Sequence, residues 1–380
     1  MNASEPTMFL SRELHWRAAR CWQHTTSANS HVFQGCTPKT GRRFKMRTLL
    51  ALLTAASAFA QTFTVQTSGT KSALRGVWAV SDQIVWASGT RGTYLRTLDG
   101  GAHWTAATVP GAETLDFRDV QGVDADTAYL LSIGKGASSR VYKTVDGGAH
   151  WTLSLQNADA QGFFDEMSFW NPQHGILVGD QVDGQMVVMA TEDGGASWQR
   201  LKMPPALPGE GAFAASGTGI TVLGDRDVWI GTGGKDAARV YHSGDAGRTW
   251  SVAATPIRAD ADDAGIFSLA FSDAQHGIAV GGSYRKSSET AGNIAVTSDA
   301  GKTWTVPVGA PPKGFRSAVW YLVDHKAWIA AGTSGADIST DSGKNWQQFD
   351  GGNYNAVSFA SGKAGWAVGP GGTIAKFAME

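Results

Sequence analysis

One eight-residue pattern, Ser/Thr-x-Asp-x-Gly-x-x-Trp, recurs six times and sets what this chain can fold into. It reads TLDGGAHW (Thr97–Trp104), TVDGGAHW (Thr144–Trp151), TEDGGASW (Thr191–Trp198), SGDAGRTW (Ser243–Trp250), TSDAGKTW (Thr297–Trp304) and STDSGKNW (Ser339–Trp346). Successive copies start 47, 47, 52, 54 and 42 residues apart. A near-constant period of that length marks a repeat architecture. Asp-Gly-Gly and Asp-Ala-Gly are hairpin-turn chemistry: the carboxylate accepts backbone N–H groups of its own turn, and the glycine tolerates positive φ. The Ser/Thr hydroxyl adds a similar local bond, and the Trp supplies an apolar plug beneath the hairpin. The six boxes are therefore read as structural, without a catalytic or metal-binding role.

Each box is preceded by two further signals. The first is a short strand opening on a large apolar residue, at Leu74, Phe117, Phe164, Phe213, Phe267, Phe315 and Tyr354. The second is a strand that ends in small residues, from VWASG (Val85–Gly89) in the first unit to GWAVG (Gly365–Gly369) in the last. A third strand leads into the box and a fourth leaves it. Helical periodicity is nearly absent, and 48 glycines punctuate the turns. Four short strands per unit of roughly 45 residues describe a propeller blade. Seven units can be counted, and the last, which has no box, lacks its fourth strand. Phe63–Thr67 can fill that place and remove an exposed sheet edge. The expected fold is all-β: a seven-bladed β-propeller over 61–380, closed by an N-terminal strand. No Trp-Asp dipeptide recurs at the blade ends, as a WD40 repeat would require.

The first sixty residues do not share this pattern. Met46–Ala60, MRTLLALLTAASAFA, has the charged, apolar and A-x-A order of a secretory signal peptide, with cleavage expected after Ala60. Residues 1–45 fit a signal poorly. They are read as lying upstream of a true start at Met46, the rival being a long cleaved or disordered leader. The expected destination is the periplasm or the exterior. Residues 1–60 hold eight Lys/Arg and two Asp/Glu, so the remainder holds 32 − 8 = 24 basic and 33 − 2 = 31 acidic residues, a net charge near −7. An acidic chain gains nothing from a phosphate backbone, which argues against a nucleic-acid partner. Both cysteines, Cys21 and Cys36, fall in the leader, so the propeller is expected to have neither disulfides nor thiolate chemistry. No apolar run is long enough for a transmembrane helix. A monomer is expected. CxxC, HExxH and HxxxH are absent after residue 60, and Gly231–Gly234 is not followed by a helix, so no metal or cofactor is indicated.

Propeller geometry puts the box turns on one face. The starts of the inner strands, the loops between blades and the loops joining second to third strands share the other. The second positions of the inner strands read Arg75, Arg118, Asp165, Ala214, Ser268, Arg316 and Asn355. Three arginines at equivalent positions are expected to converge at one channel mouth, where fixed guanidinium groups suit a carboxylate or phosphate. The alternative is that each pairs with a neighbouring Asp119, Asp165 or Glu166. Loops on the same face bring Asp180 and Asp183, Glu210 after paired prolines, Arg239, and Tyr284, Arg285 and Lys286. The candidate binding set is Arg75, Arg118, Asp165, Asp180, Glu210, Arg239, Tyr284, Arg285 and Arg316. The expected ligand is a protein or an anionic small molecule or glycan.

The repeat resembles the Asp-box, or bacterial neuraminidase repeat, family across essentially all of 61–380. The blade count, signal and inner-strand arginines look most like the photosystem II stability/assembly factor family. That resemblance implies a non-catalytic, chaperone-like scaffold with an arginine patch for partner binding, a role that would fall on Arg75, Arg118 and Arg316. Sialidases share the box and imply the enzyme alternative. Their arginine triad would map to the same three residues, their Tyr–Glu nucleophile pair to Tyr284 and Glu210, and their acid/base to Asp165. The chain departs from them in its blade count and in having LRGV (Leu74–Val77) where they carry F/Y-R-I-P.

Overall fold

The computed structural model describes residues 61–379; the expected leader and signal segments lie outside them. Seven antiparallel sheets follow one another along the chain. Blade one holds Leu74–Ala79, Val85–Gly89, Thr93–Thr97 and Thr105–Thr108, and the next five follow that order, blade five without the fourth strand. Blade seven is Ala356–Phe359, Gly365–Val368 and Ile374–Met379, with Gln61–Gln66 as its outermost strand. Phe63 lies opposite Phe377 in that last pairing. The propeller is thus closed by its first strand, as the missing fourth strand of the last repeat requires.

The apolar core is distributed between blades. Seven clusters each join two neighbours, and six of them include a box tryptophan: Trp104, Trp151, Trp198, Trp250, Trp304 and Trp346. The seventh interface, between blades six and seven, has no box of its own. Phe63, Tyr354, Phe359 and Phe377 fill it, with Phe63 5.0 Å from Tyr354 and 5.6 Å from Phe377 between ring centroids.

The boxes form the turns their sequence predicts. In the second, Thr144 Oγ1 donates to Asp146 Oδ1 (2.9 Å) and accepts from Gly148 N–H (3.0 Å), while Asp146 Oδ1 accepts from His150 N–H (2.9 Å). The first turn repeats this network at Thr97, Asp99, Gly101 and His103. These bonds hold the Asp99 and Asp146 carboxyls at a pKa of about 2, the backbone bond from His103 or His150 being the main cause.

Two blades depart from expectation. Blade five has three strands, its fourth reduced to a bridge between Val296 and Thr305. Pro307 follows two residues on and has no N–H to extend the ladder. In blade four the inner strand is Ile220–Leu223; it does not begin at Phe213. The residues between leave the sheet and enter the channel.

Candidate binding site at the channel mouth

The inner strands open with a β-bulge. Pairing with the second strand skips Arg75 in blade one, Arg118 in blade two, Asp165 in blade three and Phe267 in blade five. A bulge re-aims the extra side chain, so these four share one structural position. Phe267 was expected one position earlier, where Ile266 stands. Blade six is shifted by one residue in the opposite direction. Gly332 packs against Phe315 O and Arg316 Cα as Gly89 packs against Ala73 O and Leu74 Cα. Arg316 therefore occupies the buried position of Leu74, and Ser317 occupies the bulge.

That register corrects the expectation of three converging arginines. Arg316 is fully buried; its Nε donates to Asp337 Oδ2 at 2.6 Å and its Nη1 to Phe315 O and Ser334 Oγ, each at 2.9 Å. It is a structural ion pair inside blade six. Arg75 and Arg118 do come together. Arg118 Nε donates to Asp116 Oδ2 (2.7 Å) and its Nη1 to Ala214 O (3.0 Å). Its carboxylate partner is thus Asp116, none of the three expected. No described residue hydrogen-bonds the Arg75 guanidinium, and its Nε is buried without a partner. Burial first, and Arg118 second, lower the Arg75 pKa to about 10, against the opposing pull of Asp116.

Beside the arginines lies a group of buried carboxyls. Asp119 Oδ2 accepts from Met167 N–H (2.7 Å), and Glu166 Oε2 accepts from Ile220 N–H (2.9 Å). Each acid follows its bulge, and each bond links one inner strand to the next blade. Ser268 makes the same link to Val319 N–H at 2.8 Å. Burial raises Asp119 to about 7. Burial, then the neighbouring Asp180 and Glu166, push Asp165 well above the usual range, and burial and Asp119 do the same to Glu166. Asp180 is also raised by burial, and its Oδ1 accepts from Ala212 N–H at 3.2 Å.

The remaining expected residues lie in two further groups. Glu210 is buried and bonds Arg239, Thr232 Oγ1 (2.6 Å), Leu207 N–H (2.8 Å) and Tyr241 Oη (3.1 Å). Burial opposes its ionisation, but the bonds from Arg239 and Thr232 outweigh burial and hold its pKa below the ordinary value. Tyr284 and Arg285 are exposed, with the Arg285 guanidinium 5.6 Å from the Tyr284 ring centre. Tyr284 packs edge-on to Phe267 at 6.2 Å, in an aromatic cluster where Phe213 stacks on Phe267 at 3.9 Å and Phe315 meets it edge-on. The tyrosine bonded to Glu210 is thus Tyr241, and the pairing with Tyr284 that a sialidase centre implies is not formed. Among the described residues, no group of three or more His, Cys, Asp or Glu is arranged to hold a metal, and no helix is long and apolar enough to cross a membrane.

Sequence reading missed Asp116, the linking role of Asp119 and Glu166, and the channel segment before Ile220. The spacing of Gly211, Gly217 and Gly219 was the available signal for the last.

The sequence family described as "Photosynthesis system II assembly factor YCF48" matches residues 112–256, which cover blades two to four. The chain resembles that family. The solved structure of YCF48 from Cyanidioschyzon merolae is 20% identical, with a TM-score of 0.58 over 84% of this chain and 99% of that one. The structure described as YCF48 bound to D1 peptide is 16% identical, with a TM-score of 0.54 over 85% and 97%. The GH74 xyloglucanase from Xanthomonas campestris shares the fold at 16% identity and a TM-score of 0.57, but 83% of this chain covers only 53% of that one. No curated protein sequence matches the chain. At these identities the structural likenesses establish the propeller fold.

Proposed function

We propose that the chain is an exported, non-catalytic binding propeller of assembly-factor type, which docks a protein segment bearing carboxylates on Arg75 and Arg118. The observation that carries this reading is Arg75. It is a mostly desolvated guanidinium beside a second one, and no described residue hydrogen-bonds it. A charged group in that setting gains most from an incoming carboxylate, which accepts from both arginines with charge-assisted bonds. The match to the assembly-factor family supports the reading, and a peptide is bound in one of the similar structures. Export rests on the signal-like order of Met46–Ala60.

A hydrolytic reading needs a free carboxyl and a reactive tyrosine. Glu210 instead has its oxygens bonded to Arg239, Thr232, Leu207 and Tyr241.

The test is fluorescence anisotropy with a labelled hexaglutamate peptide and its hexaglutamine counterpart. The acidic peptide is expected to bind, and Arg75→Gln or Arg118→Gln to weaken it about tenfold, or ~1.4 kcal/mol. Equal binding of the two peptides, or unchanged affinity in both variants, would rule the reading out.

A further inference from the structure

The start of blade four is unlike the others. Before Ile220, residues 211–218 run across the channel. Arg118 of blade two donates to Ala214 O (3.0 Å), and Asp180 of blade three accepts from Ala212 N–H (3.2 Å). The backbone of Ala214 and Ala215 lies close to the carboxyls of Asp165 and Glu166 of blade three. Phe213 stacks on Phe267 of blade five, and Ser216 Oγ donates to Ser317 O of blade six (2.7 Å). A segment that touches the inner strands of blades two, three, five and six must lie within the ring they form.

Its composition fits that place. A Cβ at Gly211 would collide with Asp180, at Gly217 with Asp119 and at Gly219 with Glu166. Three glycines therefore let the backbone settle against three carboxyls. Apart from Phe213, the segment is glycine, alanine, serine and threonine, so little apolar area holds it down. Its bonds are divided between the side chains of Arg118, Asp180 and Ser268 and the backbone of Gly233, Leu269 and Ser317. Its one bridge to its own blade is Gly211 with Gly233. Segments with few buried apolar contacts and no sheet ladder open locally, without global unfolding.

We infer that residues 211–218 form a displaceable strap over the channel mouth, an internal occupant that an incoming carboxylate must push off Arg118. This rests on the docking reading above. Its physical basis is the exchange at Arg118 Nη1. The strap offers a neutral carbonyl at Ala214, whereas a carboxylate brings a full opposite charge to the guanidinium and can accept from it in bidentate geometry. Released, the strap would leave both arginines open on the same side of the channel.

Hydrogen–deuterium exchange on the full chain, read for 209–219 against 227–231, tests this with and without hexaglutamate. The strap amides are expected to exchange at least about tenfold faster than the adjoining strand, and faster again with peptide bound. Gly217→Ala places a Cβ against Asp119 at a φ of +75°, where side chains are disfavoured. It should open the strap and tighten peptide binding about threefold or more, since the competitor is removed. Ser216→Ala, which deletes the bonds to Ser317 O and Thr218 Oγ1, should act in the same direction without backbone strain. Strap amides that exchange no faster than 227–231, or that slow when peptide binds, would overturn the inference, as would two variants that bind peptide no tighter than wild type. Exchange of the strap without peptide reports its opening independently. Failure of the docking reading shows instead as arginine variants with unchanged affinity.

Discussion

Arg316 and Asp337 show why an arginine's chemistry depends on register. Both are fully buried, and each is the other's main charge partner. Asp337→Ala leaves a buried guanidinium unpaired, and should cost about 3–5 kcal/mol in urea unfolding. Arg75→Ala removes a side chain that no described residue hydrogen-bonds, and the same measurement should show a much smaller loss. Similar losses for the two would mean that Arg75 is a structural residue. Asp119 makes a second residue-level prediction. Its carboxyl titrates near 7 in the fold, against about 3.9 in an unfolded chain. The stability it contributes is complete below pH ~4 and is lost as pH rises through about 7, because the unfolded chain releases that proton first. Asp165 and Glu166 are raised too and act in the same direction. The melting temperature should therefore fall from pH 5 to pH 8. Asp119→Asn keeps an oxygen for Met167 N–H and should flatten that slope. An equal slope in wild type and variant would show that Asp119 ionises normally. The box carboxyls near 2 have the opposite sign: their contribution is present above pH ~4 and is lost as pH falls through about 2.

The boxes were legible because their chemistry is contained within eight residues. Thr144, Asp146 and Gly148 can bond one another whatever the rest of the chain does. Asp146→Ala removes acceptors for Thr144 and for the His150 amide, and should lower the urea midpoint of unfolding. Exchange protection should be lost first in Arg140–Thr144 and Thr152–Gln156, the strands that the turn joins. Protection lost evenly across all blades would argue against a local role. The channel mouth was less legible because its order is set between elements. The bulge that displays Arg75 and Arg118 is fixed by pairing with the next strand, and counting from the nearest large apolar residue does not determine it. That count is right in blades one to three, where Leu74, Phe117 and Phe164 precede the bulge. It fails by one residue in blades five and six, where the aromatic ring of Phe267 occupies the bulge itself and Phe315 precedes a buried Arg316. In blade four, Phe213 serves the aromatic cluster at the mouth rather than a strand.

A closed ring makes the whole molecule depend on where its ends meet. Other interfaces between blades are continuous in sequence on at least one side, and six contain a box tryptophan. The interface between blades six and seven is completed by residues from opposite ends of the propeller, with Phe63 packed among Phe349, Tyr354 and Phe377. Two losses coincide if Gln61–Gln66 is removed. The aromatic cluster opens, and Ile374–Met379 becomes an unpaired edge, which templates association with other chains. Phe63→Ala separates these effects, because it empties the cluster but leaves the backbone ladder able to form. It should cost about 3–5 kcal/mol, measured by urea unfolding, while the protein still sediments as the wild type does. Deletion of residues 61–66 should cost more and also produce concentration-dependent association in analytical ultracentrifugation. If the deletion is no less stable than Phe63→Ala and sediments identically, closure comes from packing between side chains alone, and the ladder between the two ends contributes nothing to holding the ring.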